Sequence, residues 1–407
     1  MRAASTRPSD YASRIPHARH VAFALAFAAL AFVAGCWRGP VSSNTPARPS
    51  GSTNSGDLPA SVIPPLAGKV AAPAHGAYLG VYRPPAPFQM SAFDSYTTKV
   101  SPRRPAILMW YQPWAQKSPH EFDPAACVSV YQRGAIPLIT WEPWDPGTNA
   151  NNLKNPADQP MFRLSRIIGG SFDPYIRRFA KRVASVRGPV MIRLMHEMNG
   201  QWYPWGGTAN GNSPKQFVKA WRHVHDIFEQ EGATNVTWVW SINHESVPAT
   251  SENRYGVYYP GDKYVDWVAI SGFNWGNASP FSMWRSFEHW YRAPLAYLKT
   301  LGKPVVIAEF GSVEQGGSKA AWIKDAYARI RKQHPQVKAV IYFDSREAGL
   351  NGLQDWRIAS STGSLAAYRT AVANPYFRAA PMTSLSAWTN SLSDANWVYL
   401  RSLVPVY

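Results

Sequence analysis

Cysteine is almost absent from the sequence: Cys36 and Cys127 are the only two in 407 residues, which excludes a scaffold built on disulfides. Acidic residues are scarce as well, 25 Asp and Glu against 42 Lys and Arg, giving a formal charge of +17. No Gly-rich phosphate loop follows the first apolar run, which weighs against an open dinucleotide-binding sheet. The histidines lack ligand spacing such as HExxH, so neither a metal nor another cofactor is expected. A GxSxG elbow is missing, which argues against a serine nucleophile. The basic residues are scattered and carry no helix-turn-helix, zinc-finger or RNA-binding signature, so nucleic acid is not the expected partner. Such a charge suits an acidic polymer or an anionic membrane surface.

What is present begins with an export signal. Arg2, Arg7, Arg14 and Arg19 precede the apolar stretch VAFALAFAALAFVAG from residue 21, and small residues lead to Cys36. The stretch is too short and wrongly flanked for a spanning helix. Its ending, VAGC from Val33 to Cys36, resembles the lipobox of bacterial lipoproteins. That resemblance implies loss of residues 1–35, lipidation of Cys36 and a membrane tether outside the cytoplasm, at the outer membrane or cell surface. A plain signal peptide with an incidental cysteine is the alternative. Losing the four arginines and Asp10 with the leader lowers the formal charge from +17 to +14. Cys127 reads as a small buried hydrophobe.

Residues 36–75 are rich in Pro, Ser, Gly, Asn and Thr without apolar periodicity, the composition of a disordered spacer. Beyond it lie eight short apolar runs: AYLGVY at 77, PAILMWY at 105, AIPLITW at 135, VMIRLMH at 190, VTWVWSIN at 236, WVAISGFNW at 267, PVVIAEF at 304 and KAVIYFD at 338. Between several of them the spacing turns helical, as in SFDPYIRRFAKRVASV, SPKQFVKAWRHVHDIFEQEG and SKAAWIKDAYARIRKQHP. Ser213 and Pro214 open the second of these as cap and first-turn residue, and Gly232 closes it. The alternation predicts an α/β fold, a (β/α)8 barrel over residues 76–375, with a doubly wound sheet as the other candidate. Residues 376–407 form a tail whose spacing allows a terminal helix. A monomer is expected.

In a parallel barrel the chemistry gathers at the C-terminal ends of the strands. Here those ends carry Trp141, Glu142 and Trp144; His196, Glu197 and Asn199; Asn243 and His244; Asn274 and Trp275; Glu309; and Tyr342 and Asp344. Strand alternation puts Arg193 and Glu197 on one face of the fourth strand, and Val305, Ile307 and Glu309 on one face of the seventh. Both glutamates can therefore enter one mouth from opposite sides. Glu309 follows the apolar PVVIA, where a charge is costly without a task or a partner, and Arg193 is the candidate partner. Two carboxylates across a cleft are the requirement of glycoside hydrolysis, about 5 to 5.5 Å apart when configuration is retained. Sugars present flat C–H faces to aromatic rings and hydroxyls to polar groups. Trp141, Trp144, Trp202, Trp205 and Trp275 are candidates for the first task, and Asn199, Asn243 and Asn274 for the second. Glu142 lies before Pro143 and is read as a binding residue. A structural ion pair for Glu309, and an ordinary buried role for His196, are the competing readings.

RLMHEMNGQWYPWG resembles the acid/base segment of glycoside hydrolase family 26, and KPVVIAEFGS resembles its nucleophile segment; WVWSIN, WVAISGFNWG and DWRI stand in the expected order. The similarity spans about residues 76 to 375. It implies a retaining (β/α)8 glycosidase with Glu197 as acid/base, Glu309 as nucleophile, and His196 and Trp202 at the sugar site. The polysaccharides cleaved in this family include β-1,4-mannan, mixed-linkage β-glucan and β-1,3-xylan. QWYPWG is less tryptophan-rich than the corresponding segment of mannan-cleaving members. The related clan places a tyrosine beside the nucleophile from strand six, where this chain has Phe273 and Trp275. The expected function is a membrane-tethered endo-β-glycanase acting on β-1,4-mannan or mixed-linkage β-glucan. A weakly active polysaccharide-binding lipoprotein of exopolysaccharide export is the rival.

Overall fold

The computed structural model describes residues 68–114, 121–147, 155–186, 188–279, 282–349 and 352–379. The leader, Cys36, the spacer as far as residue 67 and the tail beyond residue 379 lie outside the described residues.

Eight parallel strands close into a barrel: β1 (Ala77–Tyr82), β2 (Ile107–Pro113), β3 (Ile136–Glu142), β4 (Val190–Leu194), β5 (Val236–Asn243), β6 (Trp267–Asn274), β7 (Val305–Ser312) and β8 (Val337–Phe343). Each pairs with the next in chain order, and the ring closes where Tyr78–Tyr82 pairs with Ala339–Phe343. β3, β4, β5 and β7 are buried along their whole lengths, as strands must be when helices cover one face and the barrel interior the other. The fold is the predicted (β/α)8 barrel.

Outside lie α1 (Ser91–Lys99), α2 (Pro124–Gln132), α3 (Leu164–Ile168), α4 (Asp173–Val186), α5 (Pro214–Gln230), α6 (Phe287–Thr300), α7 (Lys319–Gln333) and α8 (Thr362–Ala373). In α5 the Ser213 hydroxyl accepts the Gln216 amide and Pro214 occupies the first turn. Phe217, Ala220, Trp221, Val224, Ile227 and Phe228 recur at three- and four-residue intervals and form its buried stripe. Gly232 follows with φ +71, the left-handed ending that glycine tolerates best. After β5 there is no α-helix but three 3-10 turns, Ser251–Asn253, Tyr255–Tyr258 and Asp262–Tyr264. A hairpin, β9 (Arg346–Gly349) and β10 (Gly352–Asp355), rises after β8.

Two boundaries shift from the sequence reading. The last spacer residues belong to the barrel: Val70 is buried, its amide donates to the Thr237 hydroxyl at 2.7 Å, and its carbonyl accepts the Trp267 indole N–H at 2.9 Å. Lys69 pairs with Asp266 at 2.9 Å. These partners stand at the N-terminal ends of β5 and β6, across the barrel from β1, so residues 68–76 cross its floor. The tail, read as a possible helix, begins as β11 (Phe377–Arg378), which pairs with Ala77 and Tyr78 of β1.

Candidate active site

The fourth strand departs from simple alternation. β4 ends at Leu194, and Met195 and Glu197 then adopt positive φ values of 47° and 54°, a region side-chain-bearing residues enter rarely and at a cost. The turn is pinned from both sides: the Met195 amide donates to the Trp141 carbonyl at 3.1 Å, and the Glu197 amide to the Ser241 carbonyl at 2.9 Å. Its effect is that His196 and Glu197, which alternation would send to opposite faces, are both brought near Glu309.

Glu197 is buried, and the Trp202 indole N–H donates to its Oε2 at 2.8 Å. Gly200 makes this possible, since a Cβ there would fall 2.3 Å from the Trp202 ring. Burial raises the Glu197 pKa to about 7, and the Glu309 charge adds to the rise, while Arg193, Asn243 and Trp202 work against it. Glu197 is thus an acid that keeps its proton near neutrality and can also give it up.

Across the barrel, Glu309 of β7 is held as an acceptor. Arg193 of β4, fully buried, donates through Nη2 to Oε1, and the Tyr111 hydroxyl of β2 donates to the same oxygen at 2.7 Å. Burial works against the Arg193 charge, but Glu309 and Tyr111 outweigh it and the guanidinium pKa is raised. Burial and the Glu309 charge push the Tyr111 pKa well up, so its hydroxyl stays a donor. The β7–β8 pairing is irregular between Ile307 and Phe310, the kind of local departure that re-aims a side chain beside an active site.

His196 lies between Glu142 and Glu309. Its Nε2 faces the Tyr203 hydroxyl at 3.2 Å and Glu309 Oε1 at 3.8 Å, and its Nδ1 faces Glu142 Oε1 at 3.8 Å. Burial, helped by Arg193, holds its pKa well below the ordinary histidine value, so the ring is neutral. Glu142, at the end of β3, accepts the Trp144 indole N–H on Oε2 at 3.2 Å, and burial raises its pKa to about 8. A cavity of about 300 Å³ opens over this group, with Glu142, Trp144, Tyr203, Tyr111 and Glu309 in its lining.

The remaining candidates separate by strand phase. Trp141 does not line the cleft: Thr140 and Glu142 point inward, so Trp141 points out, stacked on Phe179 of α4 at 4.2 Å with its N–H on the Tyr175 hydroxyl. Tyr342 is likewise excluded, because Ile341 and Phe343 face inward and Tyr342 packs against Phe310 and Tyr368 outside the barrel. Asn199 and Asn274 are corrected from sugar binding to scaffolding. Asn199 donates to the Asn243 and Glu245 carbonyls and accepts the Asn243 amide, and Asn274 joins Ser312 to the Arg285 amide. Trp205 is buried against Tyr203 at 4.3 Å with its N–H on the His196 carbonyl, supporting the site from behind. Trp275 is half-buried and meets Trp356 edge-on at 4.8 Å. Asn243 touches Glu197.

Residues absent from the sequence reading are Tyr82, Tyr111, Phe343 and Glu347, all in the cavity lining. Tyr111 was signalled by its place near the end of β2, in phase with Met109, which contacts Arg193. It supplies a hydroxyl to Glu309 where strand six offers only Phe273 and Trp275. Among the described residues, no cluster of three His, Cys, Asp or Glu side chains could hold a metal ion.

Residues 128–303 match the sequence pattern of "Glycosyl hydrolase family 26". The chain is 39% identical over 247 residues to Endoglucanase H of Acetivibrio thermocellus, covering 60% of this chain and 25% of that protein. It is 22% identical over 236 residues to a mannan endo-1,4-beta-mannosidase of Bacillus subtilis, covering 54% of this chain and 59% of the relative. It therefore spans only part of either relative. The barrel resembles the solved catalytic domain of an endo-beta-1,4-mannanase from Bacillus sp. JAMB-750, with a TM-score of 0.56 and 18% identity over 77% of this chain and 89% of that one. The matched segment carries Glu197 and its turn, the barrel supplies Glu309 opposite, and over that segment the chain resembles glycosyl hydrolase family 26.

Proposed function

We propose that the protein is an endo-β-glycanase that cleaves a β-linked glucan by double displacement with retention of configuration. The observation that carries this reading is the pairing of Glu309, kept an acceptor by Arg193 and Tyr111, with a Glu197 that retains its proton. Glu309 attacks the anomeric carbon while Glu197 protonates the departing glycosidic oxygen, giving a glycosyl–enzyme ester. Glu197 then deprotonates a water that releases the sugar from Glu309. His196, neutral and wedged between Glu142 and Glu309, with Trp202 on Glu197, fixes the two acids at the sugar. Glu142, Trp144 and Tyr203 line the cavity and supply sugar contacts.

Glucan is favoured over mannan because similarity to the endoglucanase, 39%, far exceeds that to the mannosidase, 22%. QWYPWG points the same way. The test is reducing-end release from barley β-glucan, mannan and β-1,3-xylan, with the anomer of the first product followed by NMR. Cleavage of β-glucan with a β-anomer formed first is expected. Cleavage of mannan alone corrects the substrate, an inverted anomer removes the covalent step, and binding without cleavage of any polymer rejects the hydrolase.

We further infer that Cys36 is lipidated and tethers a monomeric protein outside the cytoplasm. The support is the VAGC ending of the signal-like leader. Labelled palmitate should enter the wild-type protein and not a Cys36→Ser variant; equal labelling, or none in either, overturns the inference.

A further inference from the structure

The hairpin after β8 is built inside out. In an antiparallel hairpin whose inner face meets aromatic rings, that face is ordinarily apolar and the outer one polar. Here Arg346 and Asp355 pair across the outer face at 3.3 Å, and the opposed inner residues are Glu347 and Gln354, each only 3% exposed. Glu347 Oε1 is buried and has no hydrogen-bond partner among the described residues. A buried carboxyl oxygen without a partner costs free energy that a bound hydroxyl would return.

Glu347 borders the cavity that Glu309 enters, and its neighbours in the lining include Tyr82, Phe273, Phe343 and Tyr111. The rings form a continuous surface: Tyr82 lies 4.5 Å from Phe343 and 5.0 Å from Tyr111, and Phe343 lies 5.2 Å from Phe273. Rings for the C–H faces of a sugar, and one buried carboxyl for its hydroxyls, are the two halves of a pyranose-binding subsite. We propose that Glu347 is the hydroxyl-binding residue of the glycone subsite beside Glu309, and that the β9–β10 hairpin forms the wall of that subsite. The inference rests on the reading of the site as a glycanase.

The protonation of Glu347 fits the task. Burial raises its pKa to about 7, Ser345 works against the rise and Glu309 adds to it, so near neutrality the group can donate as well as accept. One carboxyl of that kind can bridge two adjacent ring hydroxyls, whereas an alkyl side chain there would leave them dry and unpaired. A site built around such a hydrogen bond penalises a ligand lacking the hydroxyl.

The experiment compares wild-type protein with Glu347→Ala and Glu347→Gln variants on barley β-glucan and cellotetraose, measuring KM and kcat separately and checking the melting temperature. Cellotetraose binding by calorimetry is measured in parallel in a Glu309→Ala background with and without Glu347→Ala. A rise in KM, or a loss of affinity, of roughly 10- to 100-fold in the alanine variant is expected, with kcat changed less and the glutamine variant within a few-fold of wild type. Unchanged KM and affinity in the alanine variant, whether or not melting falls, would overturn the subsite and leave Glu347 a partner of the hairpin alone. The two readings fail separately. If wild-type protein cleaves no polymer yet cellotetraose binds in a Glu347-dependent way, the subsite stands and the hydrolase falls; if cleavage persists without that dependence, the subsite falls.

Discussion

Glu197 and Glu309 are the same residue type at two strand ends of one barrel, and their surroundings make them different reagents. Glu309 meets a buried guanidinium and a phenol that both donate to one oxygen. Glu197 meets an indole N–H and an amide in a buried pocket, with no cation paired to it among the described residues. Concentrated positive charge favours the ionised form, whereas burial with weak donors favours the protonated one. The opposition arises from placement: Arg193 stands on Glu197's own strand but reaches across the barrel to Glu309. One arginine thus acts on both, bonding directly to Glu309 and moderating from a distance the rise that burial imposes on Glu197.

The largest effect should come from abolishing the contrast. Replacing Glu309 with Ala should lower kcat on β-glucan by about 10⁴-fold or more, whereas Glu197→Ala should cost about 10²- to 10⁴-fold on the polymer. On an aryl glycoside with a good leaving group, the first step in Glu197→Ala should be nearly normal, and a burst followed by slow turnover should mark the difference; equal losses on both substrates would erase the distinction between the two acids.

Removing the arginine comes next. Arg193→Met leaves the Glu309 carboxylate buried without its cation, a change that typically costs about 3–5 kcal/mol, and thermal melting should register it along with a fall in kcat. Melting at the wild-type temperature would mean that Glu309 is solvated well enough without its partner.

Smaller, and directed at the acid, is Trp202→Phe. In free wild-type enzyme, kcat/KM should fall as pH rises through about 7, because the first step needs protonated Glu197. The indole N–H lowers that pKa, so its loss should raise it and move the alkaline limb upward, with a rate loss on the order of 10-fold. A limb that stays in place would assign the titration to another group.

The smallest effect concerns stability rather than turnover. The Glu142 pKa rises from an ordinary 4.5 to about 8 on folding, so between those values the folded chain holds a proton that the unfolded chain has released. Stability from this group is full below the unfolded value and is lost as pH rises through the folded one. Melting temperature should therefore decline over that window, and Glu142→Gln should flatten the decline. An equal slope in both proteins would place the pH dependence elsewhere.

The barrel was legible because its strands are long apolar runs and its helices carry their own start and stop residues, as Ser213, Pro214 and Gly232 do around α5. Both acids were legible because each ends such a run. Phase was harder. Trp141 and Glu142 are adjacent at one strand end, and only the indole is turned away from the mouth, a distinction set by alternation rather than by composition. Met195 and Glu197 break alternation through left-handed backbone, which no spacing rule anticipates for methionine or glutamate. Glu347 lay hidden for another reason: REAG and GLQD are too short and too polar to read as strands, and their pairing alone turns the carboxyl inward.

The route of residues 68–76 beneath the barrel fixes a direction. The polypeptide arrives under β5 and β6 and leaves along β1, on the side opposite the catalytic opening. Residue 68 is therefore met at the base of the barrel, away from the strand ends that carry Glu142 and Glu309. Residues 68–76 thus brace the floor of the barrel and leave its opposite end to the loops that follow the strands.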